Sequence, residues 1–379
     1  FACARAALQA VGNACVQNPA TQAAVWRALA EREAAVSLAG LVRCGRAEEL
    51  RTLAMVVYNC VRESDDRLAS LVACAEWRQL MLQATCLLAK GASGGQGDDF
   101  APLILYHAFA RRTEAGELFT RSLALGNEPR SQPEPASAEH DNTSEACTGQ
   151  GEAAGAQELG YALASGIQAG ASLAFKGSHG PVLWCNLTRL LAWAMAAPDI
   201  RGCEGGWAEG RRVTLETVEL LLHFLRDLST QETFLPPLPS PKDAYLGFAD
   251  APVCMLAALP RLTGSAGEYR TGDASQPSAA YQPPAVDLSS AVGLSHCPAP
   301  PGGFAQADLY PGYRRDVVAV LANLAHGRAW VASEVLRLGT GALLLLLEQC
   351  QYEQGNEMLR EWGVFLLRNL THESGEVRR

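Results

Sequence analysis

The run LREWGVFLLRNLTHE, Leu359 to Glu373, carries the pattern that decides the fold. Trp362, Phe365, Leu366, Asn369 and Leu370 fall at i, i+3, i+4, i+7 and i+8, which is one face of an α-helix. Leu367 adds an apolar residue off that face, so the helix is greasy around most of its circumference. A helix of that kind must be covered on two sides, as the inner helix of a stacked repeat is. Asn369 is then a lone polar side chain in apolar surroundings, and its amide needs hydrogen-bond partners.

The local pattern of apolar at −3, apolar at −2, Asn, apolar at +1 recurs along the chain. It surrounds Asn13, Asn59, Asn186, Asn323 and Asn369, five of the nine asparagines. With 48% hydrophobic residues, three apolar neighbours arise by chance at about one Asn in nine (0.48 cubed is about 0.11), so five matches exceed expectation. Spacing agrees: 59 − 13 = 46 and 369 − 323 = 46. Armadillo and HEAT repeats have periods of roughly 40–47 residues. The reading is an all-α armadillo/HEAT-like helical repeat superhelix with long disordered insertions. Two roles for the asparagines stay open. Each amide bonds the backbone of the neighbouring repeat, or some of them line a groove and hold an extended peptide. Trp26, Trp330 and Trp362 carry the same pair of readings, core packing or surface anchors for a partner.

Composition divides the chain into five segments. Residues 1–126 read as N-terminal armadillo-like repeats, broken at Asn18-Pro19 and at Ser64-Asp65-Asp66, where Ser64 suits a helix N-cap. Gly91–Asp99 (GASGGQGDD) reads as a loop, and Pro102 stands near the first turn of the next helix. Residues 127–160 lose their bulky apolar residues and read as a disordered linker. A middle helical repeat follows at 161–228. Residues 229–310 hold 12 of the 20 prolines and read as a Pro/Gly/Ser-rich insertion. Within it FLPPLPSPKD (Phe234 to Asp243) suits polyproline conformation, as a stiff spacer or a docking ligand, and Pro252 to Leu259 suits one isolated helix. Residues 311–379 form a C-terminal helical domain.

Several function classes lose support. A net charge of −9 is the wrong sign for a general nucleic-acid binder. No run of 18 apolar residues offers a membrane span. The 12 cysteines form no CxxC pair and sit mostly among Ala, Leu and Val, which suits buried thiols in a reducing, cytoplasmic setting. Sequons at Asn142, Asn186 and Asn369 exist, but two lie in apolar helices. The histidines make no HExxH or zinc spacing, and no GxxxxGK[ST], GxGxxG or GxSxG motif occurs. No enzyme activity, metal or cofactor is therefore expected. The chain begins at Phe1 and reads as a fragment of a longer protein.

The C-terminal stretch also resembles a known family, that of ataxin-10. The matching pieces are YRRDVVAVLANLAH (Tyr313 to His326), EVLRLGTGALLLLLEQC (Glu334 to Cys350) and NEMLREWGVFLLRNLTHES (Asn356 to Ser374). LQAVGNACVQNPATQAAVW (Leu8 to Trp26) resembles an early repeat of the same family. Departures are Glu357 in place of a proline, a shortened loop from His326 to Trp330, and the two low-complexity segments. The resemblance implies an armadillo-like scaffold without enzyme activity, acting in cytokinesis, cell survival and ciliary or neurite processes through other proteins. A homo-oligomer is among the partners weighed. The alternative is a transport adaptor of armadillo type that binds peptide signals.

Overall fold

The computed structural model describes residues 2–30, 38, 44, 46–90, 100–125, 155–196, 207–234, 249, 252–253, 256, 312–351, 356 and 358–374. Among the described residues there are 14 α-helices, one short 3-10 turn and no strand. The chain divides into two compact units, Phe1–Leu220 and Leu221–Arg379.

The first unit holds α1 (Ala2–Cys15), α2 (Pro19–Leu29), α3 (Ala47–Val61), α4 (Asp65–Ala73), α5 (Ala75–Lys90), α6 (Phe100–Arg111), α7 (Ala115–Leu125), α8 (Ala156–Ala174) and α9 (Gly180–Ala196). Helix starts follow the local chemistry. Asn18 Oδ1 accepts the Thr21 N–H at 3.1 Å with Pro19 in the first turn, and Ser64 Oγ accepts the Arg67 N–H at 3.3 Å with Asp65 and Asp66 beside it. The core follows apolar periodicity: Leu50, Leu53, Val57 and Cys60 of α3 are buried, as are Ile104, Leu105, Ala108 and Phe109 of α6. Helices α1, α3, α6 and α9 form a row in which each packs on the next. Helix α8 lies against α6 at a separation that only glycine allows. A Cβ on Gly170 would come within 2.3 Å of the Pro102 carbonyl oxygen and 2.6 Å of Tyr106 Cβ.

Helix α10 (Trp207–Ser229) runs across the division. The second unit continues with α11 (Tyr313–Ala325), α12 (Ala329–Arg337), α13 (Thr340–Glu348) and α14 (Leu359–Glu373), with α11 packed on α14. Leu321, Leu324, Val331, Leu345, Leu366 and Leu370 are buried between them. No single described helix is long and apolar enough to cross a membrane; α12 and α13 pass that test only as a pair, bent by 112°.

Several sequence expectations shift at their edges. Helix α8 starts at Ala156, inside the segment read as a disordered linker, because Leu159, Leu163 and Ile167 give its small-residue sequence an apolar stripe to bury. Residues 229–234 continue from α10 and bury Phe234 rather than belonging wholly to an insertion. Ala249, Val253 and Leu256 are buried as well, and the Ala249 N–H donates to Glu334 Oε2 at 2.9 Å. The expectations for residues 127–154 and 257–310, for the loop at 91–99 and for the proline run at 235–243 lie outside the described residues. Among the eight described cysteines, Cys15, Cys60 and Cys86 are buried while Cys3 and Cys44 are exposed, so burial of the thiols is less general than the composition suggested.

Candidate functional site

Four of the five patterned asparagines reach across to another helix, and Asn59 and Asn369 do so in one register. Asn59 Nδ2 donates to the Gly12 carbonyl at 3.3 Å, and Asn369 Nδ2 donates to the Ala322 carbonyl at 2.9 Å. Each acceptor stands one residue before the asparagine of the partner helix, Asn13 or Asn323. Asn186 is fully buried and saturated: Nδ2 donates to the carbonyls of Phe109 (2.8 Å) and Arg112 (2.7 Å), and Oδ1 accepts the Gly116 N–H (2.9 Å). Gly116 makes that approach feasible, since a Cβ there would lie 2.9 Å from Asn186 Cα. Asn323 Nδ2 reaches the Arg226 carbonyl at 3.4 Å. Asn13 is exposed, and among the described residues its side chain accepts only from Gln9 of its own helix, at 3.2 Å.

Arg111 adds a further bond between helices, from Nη1 to the Arg62 carbonyl at 2.7 Å.

The tryptophans separate. Trp26 is buried against Trp77, with ring centroids 6.0 Å apart. Trp330 is half-buried on α12. Trp362 is half-buried and meets Phe365 edge-on at 5.9 Å, and Phe365 in turn stacks with the His326 imidazole at 6.4 Å and 25°.

That aromatic pair borders a cleft of about 360 Å³ in the second unit. Ser229, Thr230 and Glu232 at the end of α10 form one wall, Asn323 to Arg328 at the end of α11 another, and Phe365 of α14 the third. Arg328 is buried, and Nη1 donates to the carbonyls of Asn323 (3.1 Å), Leu324 (3.3 Å) and His326 (3.4 Å), closing the C-terminus of α11. Burial holds its guanidinium pKa below the usual value, against the smaller opposing effect of the Glu232 carboxylate. Ser229 Oγ donates to the Arg226 carbonyl and Thr230 Oγ1 to the Asp227 carbonyl, each at 2.7 Å. The hydroxyl hydrogens are thus engaged with the helix, and the cleft presents oxygen lone pairs.

One buried charge joins α10 to α11. The Asp316 side chain is 1% exposed, with His223 Nε2 at 3.2 Å, Arg226 Nη1 at 3.1 Å and Arg315 Nε at 3.1 Å. Sequence reading missed this cluster, because Asp316 lies some ninety residues from His223 and Arg226 and nothing local marks it. Among the described residues no group of three His, Cys, Asp or Glu side chains is placed to hold a metal ion.

With this geometry in place, comparison with known families is informative. Residues 313–379, which span α11 to α14, match the family described as the spinocerebellar ataxia type 10 protein domain. This match supports assignment to the ataxin-10 family and rests on the C-terminal segment. The matched segment supplies the asparagines Asn323 and Asn369, the buried Asp316 and the wall of the cleft that runs from Asn323 to Phe365. Searches of curated proteins and of solved structures gave no match.

Proposed function

We propose that the chain is a non-enzymatic protein-interaction scaffold, built as an armadillo-like stack of helices, whose partners dock on the ataxin-10-domain unit at the cleft beside Phe365. The observation that carries this reading is that asparagine amides bond the backbone of a neighbouring helix, Asn59 and Asn369 each at the residue before the asparagine 46 positions earlier. Such bonds tie one helix of a repeat stack to the next. Amides engaged in that way hold the stack and leave binding to other surfaces. The cleft is the surface with partner-binding chemistry: an aromatic pair at one side and hydrogen-bonding groups around it. A cytoplasmic location and roles in cytokinesis, cell survival or ciliary and neurite processes belong to the same proposal, through the family resemblance. Other proteins are the expected partners, without nucleic acid, membrane insertion or cofactor.

Quantitative affinity capture from cells tests it, comparing the full chain with a Phe365→Ala variant whose melting temperature is measured in parallel. The proposal expects a defined partner set that is lost from the variant while the fold persists. Equal recovery of every partner by both proteins refutes docking at this cleft.

A further inference from the structure

We infer that the cleft between the ends of α10 and α11 accepts the guanidinium group of an arginine side chain on a partner polypeptide. The inference rests on the reading of this cleft as a partner-docking site and adds the chemistry of what enters it.

Charge is the first argument. Arg328 and Glu232 offset one another in formal charge. Two helix C-termini, those of α10 at Ser229 and of α11 at Ala325, line the same space and add negative partial charge. That charge is moderated where Arg328, Ser229 and Thr230 already donate to the last carbonyls. Glu232 stands exposed at the rim, whereas Arg328 is buried with Nη1 against the α11 carbonyls, so an entering cation meets the carboxylate first.

Hydrogen bonding is the second argument. The hydroxyls of Ser229 and Thr230 donate to their own helix, and Asn323 donates its amide to Arg226. What these groups still offer is acceptor capacity: the hydroxyl lone pairs, Asn323 Oδ1 and the Glu232 carboxylate. An occupant must therefore supply several donors and a positive charge. Lysine brings three donors on a compact ammonium, whereas arginine brings five in a flat fork.

Shape is the third argument. The exposed His326 imidazole lies nearly parallel to the Phe365 ring, and a flat cation stacks well on such a surface. A volume of about 360 Å³ is at the small end of ligand clefts, suited to one side chain.

The test uses the full chain and three fluorescein-labelled pentapeptides, glycine throughout except for a central arginine, lysine or citrulline. Fluorescence anisotropy reads their binding. Citrulline keeps the shape of arginine and removes its charge. The arginine peptide should bind about tenfold more tightly than the citrulline peptide, with lysine between them. Glu232→Gln should weaken the arginine peptide about tenfold and leave the citrulline peptide unchanged. Glu232 is exposed in a turn, so this variant keeps the fold, and it decides the matter even where Phe365→Ala unfolds. Equal affinity for arginine and citrulline, no binding of any peptide, or no effect of Glu232→Gln overturns the inference. Should cellular partners still be lost with Phe365→Ala, the docking reading survives and only the arginine assignment fails.

Discussion

Replacing Asn186 by alanine is the sharpest probe of how the helices are held. The side chain is fully buried and makes three hydrogen bonds, to Phe109 O, Arg112 O and Gly116 N. The consequences differ by partner. The Arg112 carbonyl keeps the Ala115 N–H at 3.2 Å, so it retains a donor. The Gly116 N–H sits in the first turn of α7, where the helix supplies no acceptor, and it would be stranded in the interior. Each lost buried bond is worth about 1 kcal/mol net, and a stranded donor about 1–3 kcal/mol. The sum is about 4 kcal/mol for Asn186→Ala. Asn369→Ala removes one bond of 2.9 Å at a buried site and should cost about 1.5 kcal/mol. Asn59→Ala loses one 3.3 Å bond at a half-buried site, for about 0.7 kcal/mol. Asn13→Ala removes only an exposed contact within α1 and should stay within about 0.5 kcal/mol of wild type. Urea unfolding followed by circular dichroism measures the series, fitted with separate transitions if the two units unfold apart. Native-state hydrogen exchange at the Gly116 amide gives the local readout. The reasoning fails if Asn186→Ala costs no more than Asn13→Ala, or if the Gly116 amide stays as protected in the variant as in wild type.

Three further outcomes follow from other sites. Gly170→Ala places a Cβ 2.3 Å from a backbone oxygen that cannot move without α6, so thermal melting should show a loss of about 2 kcal/mol despite the helix preference of alanine. His107 lies between the Tyr58 and Tyr106 rings, at 5.9 and 5.4 Å, with Nδ1 buried and without a hydrogen-bond partner. Burial, helped by Arg111, His179, Lys176 and Arg62, lowers its pKa from 6.5 to about 4. The folded state thus favours the neutral ring; its contribution is complete above pH 6.5 and is lost as pH falls from there toward 4, and the melting temperature of wild type should fall relative to that of His107→Leu over that window. Asp316→Asn leaves Arg226 and Arg315 facing an uncharged amide; both arginines are about one-third exposed, so solvent moderates the cost to about 2 kcal/mol, measured by urea unfolding of the second unit.

Much of this architecture was legible in the sequence because helices announce themselves in local periodicity. The face through Trp362, Leu366 and Leu370, the break at Asn18-Pro19 and the Ser64 cap all depend on neighbours within a few turns. The pattern also named Asn186 and Asn369, whose amides turn out to bond other helices. It did not show which carbonyls Asn186 and Asn323 reach, because Phe109, Arg112 and Arg226 lie 74 to 97 residues away. Long-range chemistry was invisible for the same reason. The cleft gathers Glu232, Arg328 and Phe365, and the Asp316 cluster gathers His223 and Arg315, from stretches of sequence with no signal linking them. The start of α8 was clipped because residues 156–160 offer only Leu159 as a bulky apolar side chain, and its burial shows only in the fold.

The asparagine amides are engaged between helices, and nuclear magnetic resonance can observe those hydrogens themselves. With asparagine labelled selectively with nitrogen-15 and signals assigned by single substitutions, the side-chain amides of Asn186 and Asn369 should exchange with solvent far more slowly than that of exposed Asn13. Exchange of all three at the rate of free asparagine would contradict the account, because the helices would then be held by something other than these bonds.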